Sequence, residues 1–184
     1  MTKSKSAYSE PSKFGKSDYH IIVVWVDNEA GVLARVAGLF SGRGYNIDSL
    51  AVAEVDKKKH LSRITIVSKG TPEVIKQIKL QLNKLIPVHK VADFSRVDPN
   101  ILFRELALFK LVSASKKLDK AKKLCKKFNG VVLDKSKKSL VIQVTALRRE
   151  IDKLTETLKP LGLVSISRTG AVAMTRGPEI FITN

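Results

Sequence analysis

Asn28-Glu29-Ala30-Gly31-Val32-Leu33 stands where an apolar, β-branched segment gives way to a helical pattern. A junction of this kind can bind an anion. The first amides of a helix lack acceptors within it and can face a carboxylate or phosphate, and a glycine lets the backbone approach a ligand closely. The same residues have a plainer use, in which Asn28 or Glu29 caps the helix and Gly31 only turns the chain. Gly42-Arg43-Gly44 ends that helix instead of opening one after a strand, so it is not a dinucleotide loop; Gly44 fits a left-handed C-terminal cap.

Other reactive residue types are dispersed. His20, His60 and His89 fall in separate elements, and the sequence contains no H-E-x-x-H, G-x-S-x-G, Walker loop or paired catalytic carboxylate. Each histidine reads as a strand-end or surface residue. Cys125 shares a helical face with Leu118, Ala121 and Phe128 and reads as core. One cysteine cannot form an internal disulfide or a zinc framework and suits a reducing compartment. No catalytic residue and no metal ligand is expected in this chain.

The 184 residues carry 34 Lys+Arg against 17 Asp+Glu, a net charge of +17. The excess peaks between Lys110 and Lys138, where 11 lysines meet only Asp119 and Asp134. Lys120, Lys122, Lys123, Lys126 and Lys127 lie off the apolar stripe of their helix and read as a solvated face. Nucleic acid and an anionic partner surface are the alternatives, but aromatics make up only 6% and no helix-turn-helix or base-stacking pattern accompanies the lysines. The apolar run Ile21–Val26 is far shorter than the ~20 residues that cross a bilayer, so no membrane contact is expected. Residues 1–18 are polar, lack the apolar stretch of a secretory signal and read as a flexible tail.

The elements that would position the turn follow from periodicity. His20–Val26 reads as a buried strand. Leu33, Val36, Ala37 and Phe40 mark one face of a helix, and Ile47–Val55 and Leu61–Val67 form two strands around Lys57-Lys58-Lys59. Thr71-Pro72-Glu73 starts a second helix striped by Val74, Ile75, Ile78, Leu82 and Leu85, and Val88–Phe94 is a fourth strand. The order then repeats. Arg104–Val112 is a strand and Leu118–Phe128 a helix; Val131–Asp134 and Leu140–Thr145 form a hairpin; Leu147, Ile151, Leu154 and Leu158 stripe a helix; Leu163–Arg168 is the last strand. The class is α+β, two tandem ferredoxin-like βαββαβ domains at 19–97 and 104–184 joined by a linker at 98–103 around Asp98-Pro99-Asn100. Each unit is small for a single core, so pairing between units or chains is the expectation.

The string Asn28 to Val36, continuing through Gly38-Leu39-Phe40-Ser41 and Arg43 to Leu50, closely resembles the small regulatory subunit of acetohydroxyacid synthase. Leu61 to Ile66, Gln81 to Leu85, Arg104 to Leu108, Arg168-Thr169-Gly170 and Arg176-Gly177 agree with it, whereas Ala30 stands where that family often has Ser or Pro. The resemblance implies that the first domain is an ACT domain and that two chains pair these domains with a feedback amino acid, usually valine, between them. On this reading the turn of Asn28, Glu29, Ala30, Gly31, Val32 and Leu33 holds the effector carboxylate. Asn46 and Ile47 of the neighbouring chain meet its ammonium group and aliphatic side chain. Thiamine diphosphate, magnesium and FAD would belong to the catalytic large subunit, which this chain would activate and make sensitive to a branched-chain amino acid. The setting would be a bacterial or archaeal cytoplasm or a plastid stroma. An ACT regulator of a different biosynthetic enzyme is the alternative.

Overall fold

The computed structural model describes residues 17–95 and 101–178. The first unit runs β1 (Asp18–Asp27), α1 (Val32–Ser41), β2 (Ser49–Asp56), β3 (Leu61–Gly70), α2 (Pro72–Leu82) and β4 (Val88–Ser95). The second runs β5 (Ile101–Val112), α3 (Ser115–Lys126), β6 (Val131–Lys135), β7 (Ser139–Ala146), α4 (Arg148–Leu158) and β8 (Leu163–Thr175). The sheets are ordered β2-β3-β1-β4 and β6-β7-β5-β8, with every neighbouring pair antiparallel. The chain is therefore two tandem ferredoxin-like domains.

Strand alternation explains both cores. In β1, Ile22, Val24 and Val26 face the helices and pack with Val36, Phe40, Ile75, Ile78 and Leu82. Ile21, Val23 and Trp25 point the other way, onto a cluster shared with Ile101, Ala171 and Ala173 of the second unit. A half-solvated antiparallel strand would alternate apolar with polar; β1 is continuously apolar because both its faces are covered. In the second unit Ala107, Phe109 and Leu111 meet Leu118, Ala121, Cys125, Ile151, Leu154 and Leu158.

Several boundaries differ from the sequence expectation. The buried face of α1 is Val32, Val36, Leu39 and Phe40, and Leu33 is 41% exposed. Val36 and Phe40 of the expected stripe are buried, while Val32 and Leu39 take the inward places expected for Leu33 and Ala37, Val32 because it is the first helical residue and turns inward. The polar tail ends before Asp18, which pairs with Gly70. Residues 101–103, expected as linker, are already strand and pair with Thr175, Met174 and Ala173; Asp98-Pro99-Asn100 lies outside the described residues, as does residues 1–16 of the tail. The last strand continues seven residues past Arg168 to Thr175. Its extension alternates small buried residues, Ala171 and Ala173, with exposed Val172 and Met174, and the buried pair lies against the first domain's sheet.

Candidate functional site

The turn after β1 is held from two sides. The Asp27 amide donates to the Pro87 carbonyl at 2.9 Å, and the Asn28 amide donates to the His60 carbonyl at 2.6 Å. The Asp27 carboxylate also meets His89 Nε2 at 2.5 Å. Between these ties and the helix, Gly31 adopts φ +85°, the left-handed region, and serves as the N-cap of α1. No side chain caps the helix. Neither Asn28 nor Glu29 therefore supplies the cap of the plainer reading, while the turn at Gly31 is as that reading has it. The Val32 amide makes a long 3.4 Å contact with the Glu29 carbonyl and Arg35 returns to Gly31, but the amides of Leu33 and Ala34 have no acceptor among the described residues.

Asn28, Glu29, Ala30 and Gly31 are exposed. Val32 is buried, so only its backbone can reach a ligand, whereas Leu33 presents an apolar side chain beside the free amides. The arrangement suits a carboxylate: two unsatisfied donors, the positive end of a helix and an exposed carboxamide nearby.

Asn46 and Ile47 sit at the other end of the same helix. The Asn46 carbonyl accepts from Ser68 Oγ at 2.8 Å, the Asp48 amide donates to the Val67 carbonyl at 2.8 Å, and Ile47 packs partly against the core. The ten residues of α1 separate the two halves by about 15 Å at the usual helical rise. One chain therefore does not bring the two groups of expected site residues together. The β2 strand lies at the edge of its sheet, with Val52 and Val55 about half exposed.

The remaining candidates are structural. His20 Nδ1 lies 3.2 Å from Asp93, and His60 occupies a left-handed position at the β2–β3 hairpin. Cys125 is buried, and desolvation pushes its thiol up to about 11. Lys116, Lys117, Lys120, Lys122, Lys123, Lys126 and Lys127 are all exposed on α3, as a solvated face requires. No group of three His, Cys, Asp or Glu side chains among the described residues is placed to hold a metal ion, and no helix there is long and apolar enough to cross a membrane.

The junction between the domains escaped the sequence reading. Glu105 is buried and takes a bidentate grip from Arg168, at 2.6 and 2.9 Å, while Arg168 Nη1 reaches Asp152 at 2.6 Å. The hydrogen bond to Glu105 holds the Arg168 guanidinium well above its ordinary pKa. Arg63 stacks 5.3 Å over Trp25 and donates to the Ala173 carbonyl. Arg168-Thr169-Gly170 was visible only as part of the resemblance, since no periodicity marks an arginine that pairs across 63 positions or a glycine that meets Ser49 of the first domain.

Residues 22–90 match the family described as AHAS small subunit-like ACT domain, and residues 104–177 match the small subunit of acetolactate synthase. The acetolactate synthase small subunit of Aquifex aeolicus is 43% identical over 90% of this chain and 85% of its own. That of Bacillus subtilis is 41% identical over 86% of this chain and 91% of its own. The crystal structure of the Thermotoga maritima small subunit superposes with a TM-score of 0.79 at 34% identity, covering 88% of this chain and 99% of that one. With both domains matched in order, and relatives this similar along most of their length, the chain belongs to the acetolactate synthase small-subunit family.

Proposed function

We propose that this chain activates a thiamine-diphosphate-dependent acetohydroxyacid synthase large subunit and makes it sensitive to valine or another branched-chain amino acid. The observation that carries the reading is the uncapped start of α1, where the Leu33 and Ala34 amides have no acceptor among the described residues and the exposed Asn28 side chain lies beside them. A free α-carboxylate fits those donors. The aliphatic side chain of the effector would lie against Leu33 and, from a second chain, Ile47, with Asn46 beside its ammonium group.

Two chains are needed because a single chain holds its half-sites about 15 Å apart along α1. The exposed β2 edge offers the row of backbone groups through which a second ACT domain can pair. Thiamine diphosphate, magnesium and FAD are assigned to the large subunit, and this chain contributes binding and linkage alone. Effector binding inhibits only insofar as it favours the subunit arrangement that supports catalysis less well. A bacterial or archaeal cytoplasm is the proposed setting, in keeping with relatives from such organisms.

Replacing Asn28 by Ala removes a ligand contact and no subunit contact. It should raise the inhibitory valine concentration by about tenfold, the worth of one hydrogen bond to a charged group, and leave activation intact. Unchanged sensitivity in the variant complex overturns the site. Titrating the purified chain with valine, leucine, isoleucine and lysine identifies the effector. A large subunit of a different pathway activated in its place would establish the alternative ACT regulator.

A further inference from the structure

We infer that the contact of Ser49 with Gly170-Ala171 is the element through which effector occupancy reaches the second domain. This rests on the regulatory reading above and extends it from the effector site to the route by which the site acts.

The contact lies two residues beyond Ile47. Ser49 opens β2, and its Oγ accepts from the Ala171 amide at 3.2 Å. Gly170 packs so tightly there that an added Cβ would sit 2.2 Å from Ser49 Oγ, in a backbone conformation, φ +79°, that side chains rarely adopt. The loop before Ser49 has little slack, because Asn46 is tied to Ser68 and Asp48 to Val67. A displacement of Asn46 and Ile47 on binding is therefore delivered at Ser49, and β8 has no room to ignore it.

Around this junction, polar atoms of both domains lack a hydrogen-bond partner among the described residues. A cleft of about 290 Å³ is lined by Asp48, Ser49 and Leu50 from the first domain and by Glu105, Arg148, Arg168, Thr169 and Gly170 from the second. Asp48 Oδ2 and Arg148 Nη1 are both buried and unpartnered, on opposite sides of it. Arg148 is otherwise held 5.4 Å over the Tyr19 ring of the first domain. Buried charges left unpaired are unfavourable, so a movement of the loop toward α4 gains an ion pair as it disturbs the Ser49 bond. Arg168, adjacent in sequence to Thr169 and Gly170, ties this end of β8 to Glu105 and to Asp152 on α4. A shift at Gly170 thus reaches both the sheet and a helix of the second domain.

The test uses the full chain with its catalytic subunit and two readouts, calorimetric affinity for the amino acid and inhibition of the complex. Ser49→Ala should bind the effector with a dissociation constant within about twofold of the parent, while its coupling between binding and inhibition falls by about tenfold. Gly170→Ala should uncouple more strongly. Ser49→Ala combined with Gly170→Ala should be no worse than Gly170→Ala alone, because removing Oγ leaves only Ser49 Cβ, at 3.5 Å, facing the new methyl group. Retention of both binding and inhibition in Ser49→Ala overturns the inference. So does loss of both together, which would make Ser49 a support of the effector site. A parent complex that neither binds nor responds to any branched-chain amino acid fails differently: it withdraws the effector reading itself, and the coupling with it.

Discussion

The two domains share one architecture and differ at the same point of it, the entry to the first helix. In the first domain α1 begins at a left-handed Gly31 after the exposed turn Asn28–Gly31, and the Leu33 and Ala34 amides have no acceptor among the described residues. In the second, the Val112 amide donates to the Gly162 carbonyl, the Ser113 amide to the Lys138 carbonyl, and Ser115 Oγ reaches the Lys137 carbonyl at 3.4 Å. These strand-end ties parallel those of Asp27 and Asn28, and α3 too starts without a side-chain cap, at Ala114; what differs is the connection, Ser113 and the extended Ala114 against a longer exposed turn that ends in the left-handed Gly31. The surfaces differ as well: Leu33 is the exposed apolar residue at the start of α1, whereas α3 offers six lysines. A shared βαββαβ fold therefore does not give the two helix entries the same surface, and the second domain serves as an internal control for the site proposed at the first.

The largest expected effect tests whether the two domains are one folding unit. Phe40 and Phe109 are the fully buried aromatics of the two cores. Alanine at either should cost about 3–5 kcal/mol, and because Ile21, Val23 and Trp25 share a cluster with Ile101, Ala171 and Ala173, both domains should unfold in one urea transition. Two separate transitions would mean the interface contributes little. Next, Glu105→Ala should cost about 2–3 kcal/mol, since it strips Arg168 of its bidentate partner while Asp152 remains. A loss below half a kilocalorie, roughly the effect of a surface pair, would show that the network is solvated.

Cys125 sets a pH dependence confined to the second domain. Its thiol is raised from 9.0 to about 11, so the folded state disfavours the thiolate. Its contribution is intact below pH 9 and is lost as pH rises through 9 to 11, about 1 kcal/mol by pH 10. Thiol titration in the native state should be slow at pH 8 and become rapid on unfolding; rapid native labelling would contradict the burial. The smallest effects compare helix starts. In α4 the Glu150 carboxylate accepts from the Leu147 amide at 2.9 Å, while the equivalent position is Lys117 in α3 and Ala34 in α1. Lys117→Glu should add about 0.5–1 kcal/mol by thermal melting. Ala34→Glu should add a similar amount and abolish effector binding, because its carboxylate would occupy the donors. Stabilisation with binding preserved would place the effector elsewhere.

Much of the fold was legible because its elements announce themselves locally. Thr71 caps α2, accepting from the Val74 amide at 3.4 Å, with Pro72 at the first helical position, as the residue types imply. The stripe Ile151, Leu154, Leu158 is the buried face of α4. The open turn at Asn28–Leu33 was legible as a candidate, but whether its residues cap or bind depended on φ at Gly31 and on missing partners. The start of the α1 stripe was misread, since Val32 and Leu33 are both apolar and only packing decides which turns inward. The extension of β8 was missed altogether, because Ala171 and Ala173 carry too little hydrophobic signal to mark a strand alone.

By itself, the sequence determined the tandem βαββαβ order, the exposed lysines, the buried cysteine and the place of the turn between the first strand and the first helix. These follow from periodicity, capping chemistry and charge, which act over a few residues. Only the tertiary structure decided that the outer face of the first sheet is covered by β8, that Ser49 meets Gly170, that Glu105 is neutralised by Arg168 and that Asn28–Leu33 and Asn46–Ile47 stand at opposite ends of α1. Those contacts join residues 63 to 122 positions apart, or lie across a helix length, and arise from fitting one folded surface to another.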